Sequence, residues 1–236
     1  NGLDPSVKLE DITEAFEEVK AVKSDEDIAS LKAAAREYDK LFAAMPLMLR
    51  PGRLEREVVN EIRQRLSRQG AESETPGFHS MVRLTSAPDG AESVKEPIKW
   101  PGRRLAEGDR VNITVSGYIK GSAAVLGRSF VLGTASEEAR AYWDLAVRAQ
   151  QMAASMAVPG ASLKGISDAV RGFLKDNGSE DDVSGWIHGI GTSVYEAPRN
   201  IGSSADMQLK EGMVLAIGPE VKPAGKDAYS CADIFA

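Results

Sequence analysis

Apolar positions recur every three or four residues in five stretches of the chain and alternate with polar ones in three others. Ile12, Phe16 and Val19 stand at helical spacing in an acidic opening segment and predict a short connecting helix. Ser24 followed by Asp25, Glu26 and Asp27 is an N-cap with acids in the first turn. Behind it Ile28, Leu31, Ala35, Tyr38, Leu41 and Phe42 form a stripe that predicts one long amphipathic helix to about Met48. Pro51-Gly52 breaks it. Leu54, Val58, Ile62 and Leu66 carry a second helix, which Gly70 closes. From Phe78 to Thr85, Arg110 to Ile119 and Ala123 to Leu132 the period falls to two and predicts strands. Gly117 to Gly121 joins the last two as a hairpin, and Ser86 to Gly102 reads as a long loop. Ser136 caps a helix to about Met156, Pro159-Gly160 breaks it, and Leu163 to Lys175 forms another that Asn177-Gly178 ends.

The second half repeats the first. A shift of 108 positions lays Met48 on Met156, Pro51-Gly52 on Pro159-Gly160, Val58 on Ile166, Ile62 on Val170, Leu66 on Leu174 and Gly70 on Gly178. A shift of 104 lays Leu105-Ala-Glu-Gly108 on Leu209-Lys-Glu-Gly212, each followed by an apolar strand. Two copies of helix, Pro-Gly, helix, loop and strands predict a pseudo-twofold α+β domain with its site in the cleft between the halves.

With 236 residues, 42% of them hydrophobic and 27% charged, the chain can bury a full core. A formal net charge of -6 argues against nucleic acid or an anionic membrane as the main partner, since like charges repel. No apolar run approaches the roughly 18 residues needed to cross a bilayer. The single Cys231 cannot form an internal disulfide and reads as a buried small hydrophobe, which fits a reducing, cytoplasmic setting. The chain begins at Asn1 rather than Met, so residues 1–23 read as a linker from an N-terminal domain absent here, and residues 24–236 as the folded domain.

Candidate chemistry concentrates between Gly185 and Asn200, where His188, one of only two histidines, stands between a short apolar run and a glycine pair. The succession Lys23-Ser24…Glu26, Leu105-x-x-Gly-Asp109, His188-Gly-Ile-Gly, Glu196-Ala-Pro-Arg and Leu209-Lys-Glu-Gly-Met-Val resembles the creatinase/aminopeptidase family, which includes methionine aminopeptidase, aminopeptidase P, prolidase and creatinase. The resemblance covers about residues 20–236 and implies the pita-bread fold, an α+β domain of duplicated helix-strand halves around a central antiparallel sheet. A homodimer is implied by the resemblance alone.

Metal-dependent members of that family hold two divalent ions with two Asp, one His and two Glu. Carried over, those positions fall on Thr114, Val125, His188, Gly218 and Ala232. Hard divalent ions need several carboxylate oxygens, and one imidazole cannot replace them, so this sequence predicts no metal site and no cofactor. A second family histidine falls on Tyr195, and a third falls near Val94 or Lys95. Creatinase is similar in doing without metal and keeping its histidine for proton transfer.

His188 and Tyr195 are therefore the catalytic candidates, His188 as general acid/base. Thr114, Asn112, Ser122, Glu220, His79, Glu196 and Arg199 are candidates for ligand contact. Glu196 and Arg199 also suit a structural role, fixing the loop by charge-assisted bonds. Glu220 lies two places beyond Gly218, and an even step keeps a residue on one strand face. The leading expectation is a metal-independent hydrolase or lyase acting on a small, polar, nitrogen-containing molecule. The alternatives are a catalytically inactive binding module for a peptide or metabolite and, third, a metal-dependent Xaa-Pro aminopeptidase or dipeptidase.

Overall fold

The computed structural model describes residues 10–72, 82–91, 102–179, 186–200, 204 and 206–236. Among these residues six helices, α1 (Thr13–Ala21), α2 (Asp25–Ala43), α3 (Met45–Met48), α4 (Glu55–Arg68), α5 (Glu137–Met156) and α6 (Leu163–Asp176), pack around one antiparallel sheet. Its strands are β1 (Ala71–Glu72), β2 (Val82–Pro88), β3 (Asp109–Ile119), β4 (Ser122–Val131), β5 (Ile187–Gly189), β6 (Glu196–Arg199), β7 (Leu215–Ile217), β8 (Glu220–Val221) and β9 (Tyr229–Phe235). They run in the order β1-β3-β4-β9-β7-β5-β6, with β2 beside β3 and β8 beside β9.

Each half has its own core. In the first, Tyr38, Leu41 and Met45 meet Val58, Ile62 and Leu66 over Val111, Ile113 and Val115. In the second, Ala146 and Ala149 of α5 and Ile166, Val170 and Leu174 of α6 meet Ile187, Leu215 and Ile217. The repeat read from the sequence extends to individual hydrogen bonds. Gly52 N–H donates to Leu105 C=O and Gly160 N–H to Leu209 C=O, while Leu105 N–H donates to Arg53 C=O and Leu209 N–H to Ala161 C=O. Gly52 and Gly160 both hold φ +89, a left-handed conformation that a side chain would strain. The α+β pita-bread architecture expected from the sequence is the architecture observed.

Three sequence expectations change. The long helix after Ser24 stops at Ala43 and restarts as α3, because Pro46 cannot supply the N–H that would continue the ladder. The strand expected to end at Thr85 runs on to Pro88, paired in register with Asp109, so the following loop starts later. The stripe of α1 does not face the core: Ile12, Phe16 and Val19 are 67%, 59% and 77% exposed. What holds α1 is its polar side, where the Glu17 carboxylate accepts from Ala197 N–H at 2.9 Å.

Candidate functional site

The register across the sheet places the site residues. Thr114 on β3 lies opposite Gly127 on β4, Gly127 opposite Ala232 on β9, and Ser116 opposite Val125. Ala216 on β7 lies opposite His188 on β5, which in turn faces Arg199 on β6. Residues directly opposed on paired strands share a face. Thr114, Val125, Ala232, Ala216, His188 and Arg199 therefore lie along one face of the sheet. Gly218, one step past Ile217, completes the row: a Cβ built on it would lie 2.5 Å from Ala232 Cβ. The positions that the resemblance assigned to metal ligands thus do converge, and apart from His188 they bring no carboxylate and no ring nitrogen. Val125, Ala216 and Ile234 join an apolar cluster with Ala123, Ile190 and Val214. Among the described residues, no group of three or more His, Cys, Asp or Glu side chains could hold a metal ion.

His188 is 7% exposed. Its Nδ1 lies 2.9 Å from Gly189 C=O, and since a carbonyl only accepts, Nδ1 carries the hydrogen. In the neutral ring the lone pair is then on Nε2, which has no hydrogen-bond partner among the described residues. Burial, chiefly, holds the His188 pKa below the usual histidine value; the Gly189 carbonyl works against this and the Arg199 charge adds to it. The backbone here is set by close approach. A Cβ on Gly189 would fall 2.2 Å from Ala197 C=O, so only glycine fits beside the histidine.

Tyr195 packs its ring against the imidazole at 4.0 Å between centroids, and the Arg199 guanidinium lies 5.9 Å from the Tyr195 ring centroid. Burial raises the Tyr195 pKa while Arg199 opposes the rise, so the phenol is protonated at neutral pH. Arg199 Nη2 reaches Glu17 at 3.3 Å, and its Nε is buried with no hydrogen-bond partner.

The other sequence candidates separate into different places. Glu196 is buried on the helix side, held by Lys23 Nζ at 3.0 Å, Lys20 Nζ at 3.2 Å and Ser193 N–H at 2.8 Å. Burial would raise its pKa, but these bonds, with Lys23 first, outweigh that and lower it. Ser122 lies beside it: both line a cavity of about 190 Å³ with Lys20, Lys23, Leu31 and Thr192. Asn112 is tied into the frame, donating to Ala228 C=O at 2.9 Å and accepting from Ser129 Oγ at 2.6 Å. Glu220 is exposed on β8, opposite Ser230. His79, with Val94 and Lys95, lies outside the described residues. Asp233, neighbour of Ala232, is committed to Arg128 at 2.5 Å and to Gln150 at 2.9 Å. Cys231 is buried, which pushes its thiol up to about 11 and leaves it a poor nucleophile. Sequence reasoning missed Glu17, whose position in the connecting helix carries no motif, and Gly127, whose lack of a side chain leaves the floor open between Thr114 and Ala232.

The fold is the pita-bread fold of known peptidases. The prolidase from Pyrococcus furiosus superposes with a TM-score of 0.82 at 25% identity, covering 95% of this chain and 65% of that one. An X-Pro aminopeptidase from Thermotoga maritima shares the fold with a TM-score of 0.81 at 22% identity, over 94% and 61%. Residues 29–235 match the family model described as metallopeptidase family M24, and the chain belongs to that family. Among curated relatives, the Xaa-Pro dipeptidase of Pyrococcus furiosus is 27% identical over 214 residues, 89% of this chain and 58% of the relative. A probable dipeptidase of Mycobacterium tuberculosis is 27% identical over 224 residues, 94% and 57%. The chain thus spans a little under three fifths of the length of these relatives.

Proposed function

We propose that this chain works without a dinuclear metal centre, as a metal-independent hydrolase or lyase of the M24 fold, with His188 as its general acid/base. The observation that carries the reading is the donor set. Of the five converging positions only His188 offers a metal-binding group, and Thr114, Val125, Gly218 and Ala232 do not fit two hard divalent ions. The names of the relatives favour peptide-bond cleavage at Xaa-Pro, and this donor set is what speaks against transferring that activity.

The geometry around His188 supports proton transfer by the ring itself. The Nδ1–H to Gly189 bond fixes the tautomer, and burial keeps the ring neutral at pH 7, so Nε2 can take a proton from a substrate N–H or O–H and return it. Tyr195, protonated and packed at a tilt of 31° against the imidazole, holds the ring in place. The ligand class is a small polar molecule or short peptide, and the assembly a homodimer.

One observation favours the runner-up, a binding module without turnover: Glu196, Asp233 and Asn112 are all engaged by other protein groups, so none of these three serves as a second acid for His188. Turnover decides between them. A screen of guanidino, amide and amino-acid compounds should find one that is consumed, and His188→Ala should reduce its kcat by about 100-fold or more, the usual scale of general acid–base catalysis. Unchanged turnover in His188→Ala would remove His188 from the mechanism. No turnover of any compound, with saturable binding retained, would leave the binding module.

A further inference from the structure

We propose a second binding site, outside the His188 cleft, for an uncharged planar ring that carries one hydrogen-bond acceptor. The site is a cavity of about 190 Å³ between the end of β4 and the start of α5, with Val131, Ala135, Ala139, Trp143 and Tyr229 as its apolar lining and Arg140 and Ser129 as its polar members. His188, Tyr195 and Arg199 do not line it. Pockets for drug-sized ligands run from roughly 300 Å³ upwards, so this one limits its occupant to a single ring with a small substituent.

Two aromatic side chains give the cavity its shape, and one of them is held in place before anything binds. The Tyr229 hydroxyl donates to Asp89 at 2.7 Å, the fully buried Arg110 guanidinium lies 4.7 Å from the Tyr229 ring centroid, and the Tyr142 ring packs against it at 5.5 Å. A wall fixed in this way needs no ordering when a ligand enters, which favours binding. Ala139 stands one turn before Trp143 on α5, and its single methyl leaves room beside the half-buried indole. A flat ring stacks on such a surface with more contact than a puckered one.

The polar groups of the lining set the rest of the ligand. Ser129 is committed, its Oγ donating to Asn112 at 2.6 Å and accepting from Ser230 N–H at 3.0 Å. The exposed Arg140 guanidinium and the Trp143 indole N–H have no hydrogen-bond partner among the described residues, and both groups only donate, so the ligand supplies an acceptor. Asp89 and Asp227 face Arg110, Glu138 faces Lys226, and Glu137 and Asp144 stand three and four residues from Arg140 along α5. Acids thus outnumber bases around the cavity by five to three. An anion meets this negative excess and a cation meets Arg140 in the lining itself, whereas a neutral acceptor avoids both.

The test is a ligand-observed NMR titration of the full chain with four probes of nearly equal size: benzamide, benzoate, benzamidine and cyclohexanecarboxamide. Benzoate and benzamidine change only the charge, and cyclohexanecarboxamide changes only the flatness of the ring. Benzamide should saturate and bind about tenfold or more tightly than each of the other three. Ala135→Leu, at a half-buried position ahead of the Ser136 cap, fills the space and should abolish benzamide binding with the melting temperature unchanged or raised. Trp143→Leu removes a wall without filling the space and should weaken benzamide by about tenfold, so the site is tested twice. Arg140→Met should weaken benzamide and tighten benzamidine, because the acids then dominate, and His188→Ala should leave benzamide binding unchanged. Tightest binding by benzoate or benzamidine, equal binding of all four, no binding of any, or a benzamide affinity that survives both Ala135→Leu and Trp143→Leu would overturn the proposal. Loss of benzamide binding in His188→Ala with retention in Ala135→Leu would place the ring in the His188 cleft and overturn it as well.

Discussion

His188 is a buried imidazole whose pKa is pulled down, and that has a thermodynamic consequence. The unfolded chain titrates at the ordinary value near 6.5, above the folded one, so the unfolded state takes up the proton first. The contribution is fully present above about pH 6.5 and is lost as pH falls through the folded pKa. Urea unfolding at a series of pH values should show wild-type stability declining below pH 6.5, and His188→Gln should flatten that part of the curve. Glu196 acts in the same direction lower down, its folded pKa being below the carboxylate value near 4.5, so the two windows separate. Lys23 is the residue whose loss should cost most outside the core. It is 8% exposed and paired with the buried Glu196, and Lys23→Met leaves that charge only the more exposed Lys20 and the Ser193 N–H, with an expected destabilisation of about 3 kcal/mol. Adding Glu196→Gln should recover most of it; an equal loss in the double variant would show that the pair matters for packing alone.

Elements tell the same story through spacing. β7 and β9 run so close at Gly218 that any side chain there meets Ala232, and Gly127 is nearly as tight, at 3.1 Å from the same methyl. Gly218→Ala should therefore destabilise the protein by more than 1 kcal/mol, and Gly218→Glu should fail to bind manganese as well, because the strand must shift before a carboxylate fits. Equal stability of Gly218→Ala would mean that the strands relax freely. On α1 the expected result is the reverse of what its apolar stripe suggests. Phe16→Ser on the exposed face should change stability by less than about 0.5 kcal/mol, whereas Leu41→Ala inside α2 should cost about 2 to 5 kcal/mol. Most elements were legible from period and punctuation, since the Pro-Gly pairs, the Ser caps and the alternation of β3 each have a local cause. α1 was misleading because a helix stripe reports amphipathicity and not which side is covered. The break at Pro46 was passed over because the stripe continues across it.

At the scale of the molecule, the internal repeat was the most informative feature of the sequence. It forecast a duplicated α+β domain, and the matching Gly52–Leu105 and Gly160–Leu209 hydrogen bonds show the duplication in the structure. The cleft itself was half legible. The convergence of Thr114, Val125, His188, Gly218 and Ala232 follows from strand register and could be carried over from a motif. Arg199 beside His188, and Glu196 on the opposite side of the sheet, depend on the register shift between His188 and Gly189 in the β5–β6 pair, which no local pattern announces. Membership of the M24 family settles the architecture and leaves the chemistry to the side chains, and at the described positions Thr114, Val125, Gly218 and Ala232 these carry no carboxylate.

The central claim is that this cleft works without a metal pair, and metal content tests it most directly. The full chain is purified without chelator, dialysed against manganese or cobalt, desalted and measured by elemental analysis. The account predicts less than a tenth of an equivalent, on the order of adventitious binding, with no change on chelation. About two equivalents per chain, released by chelator, would contradict it and return the protein to the metal-dependent dipeptidases.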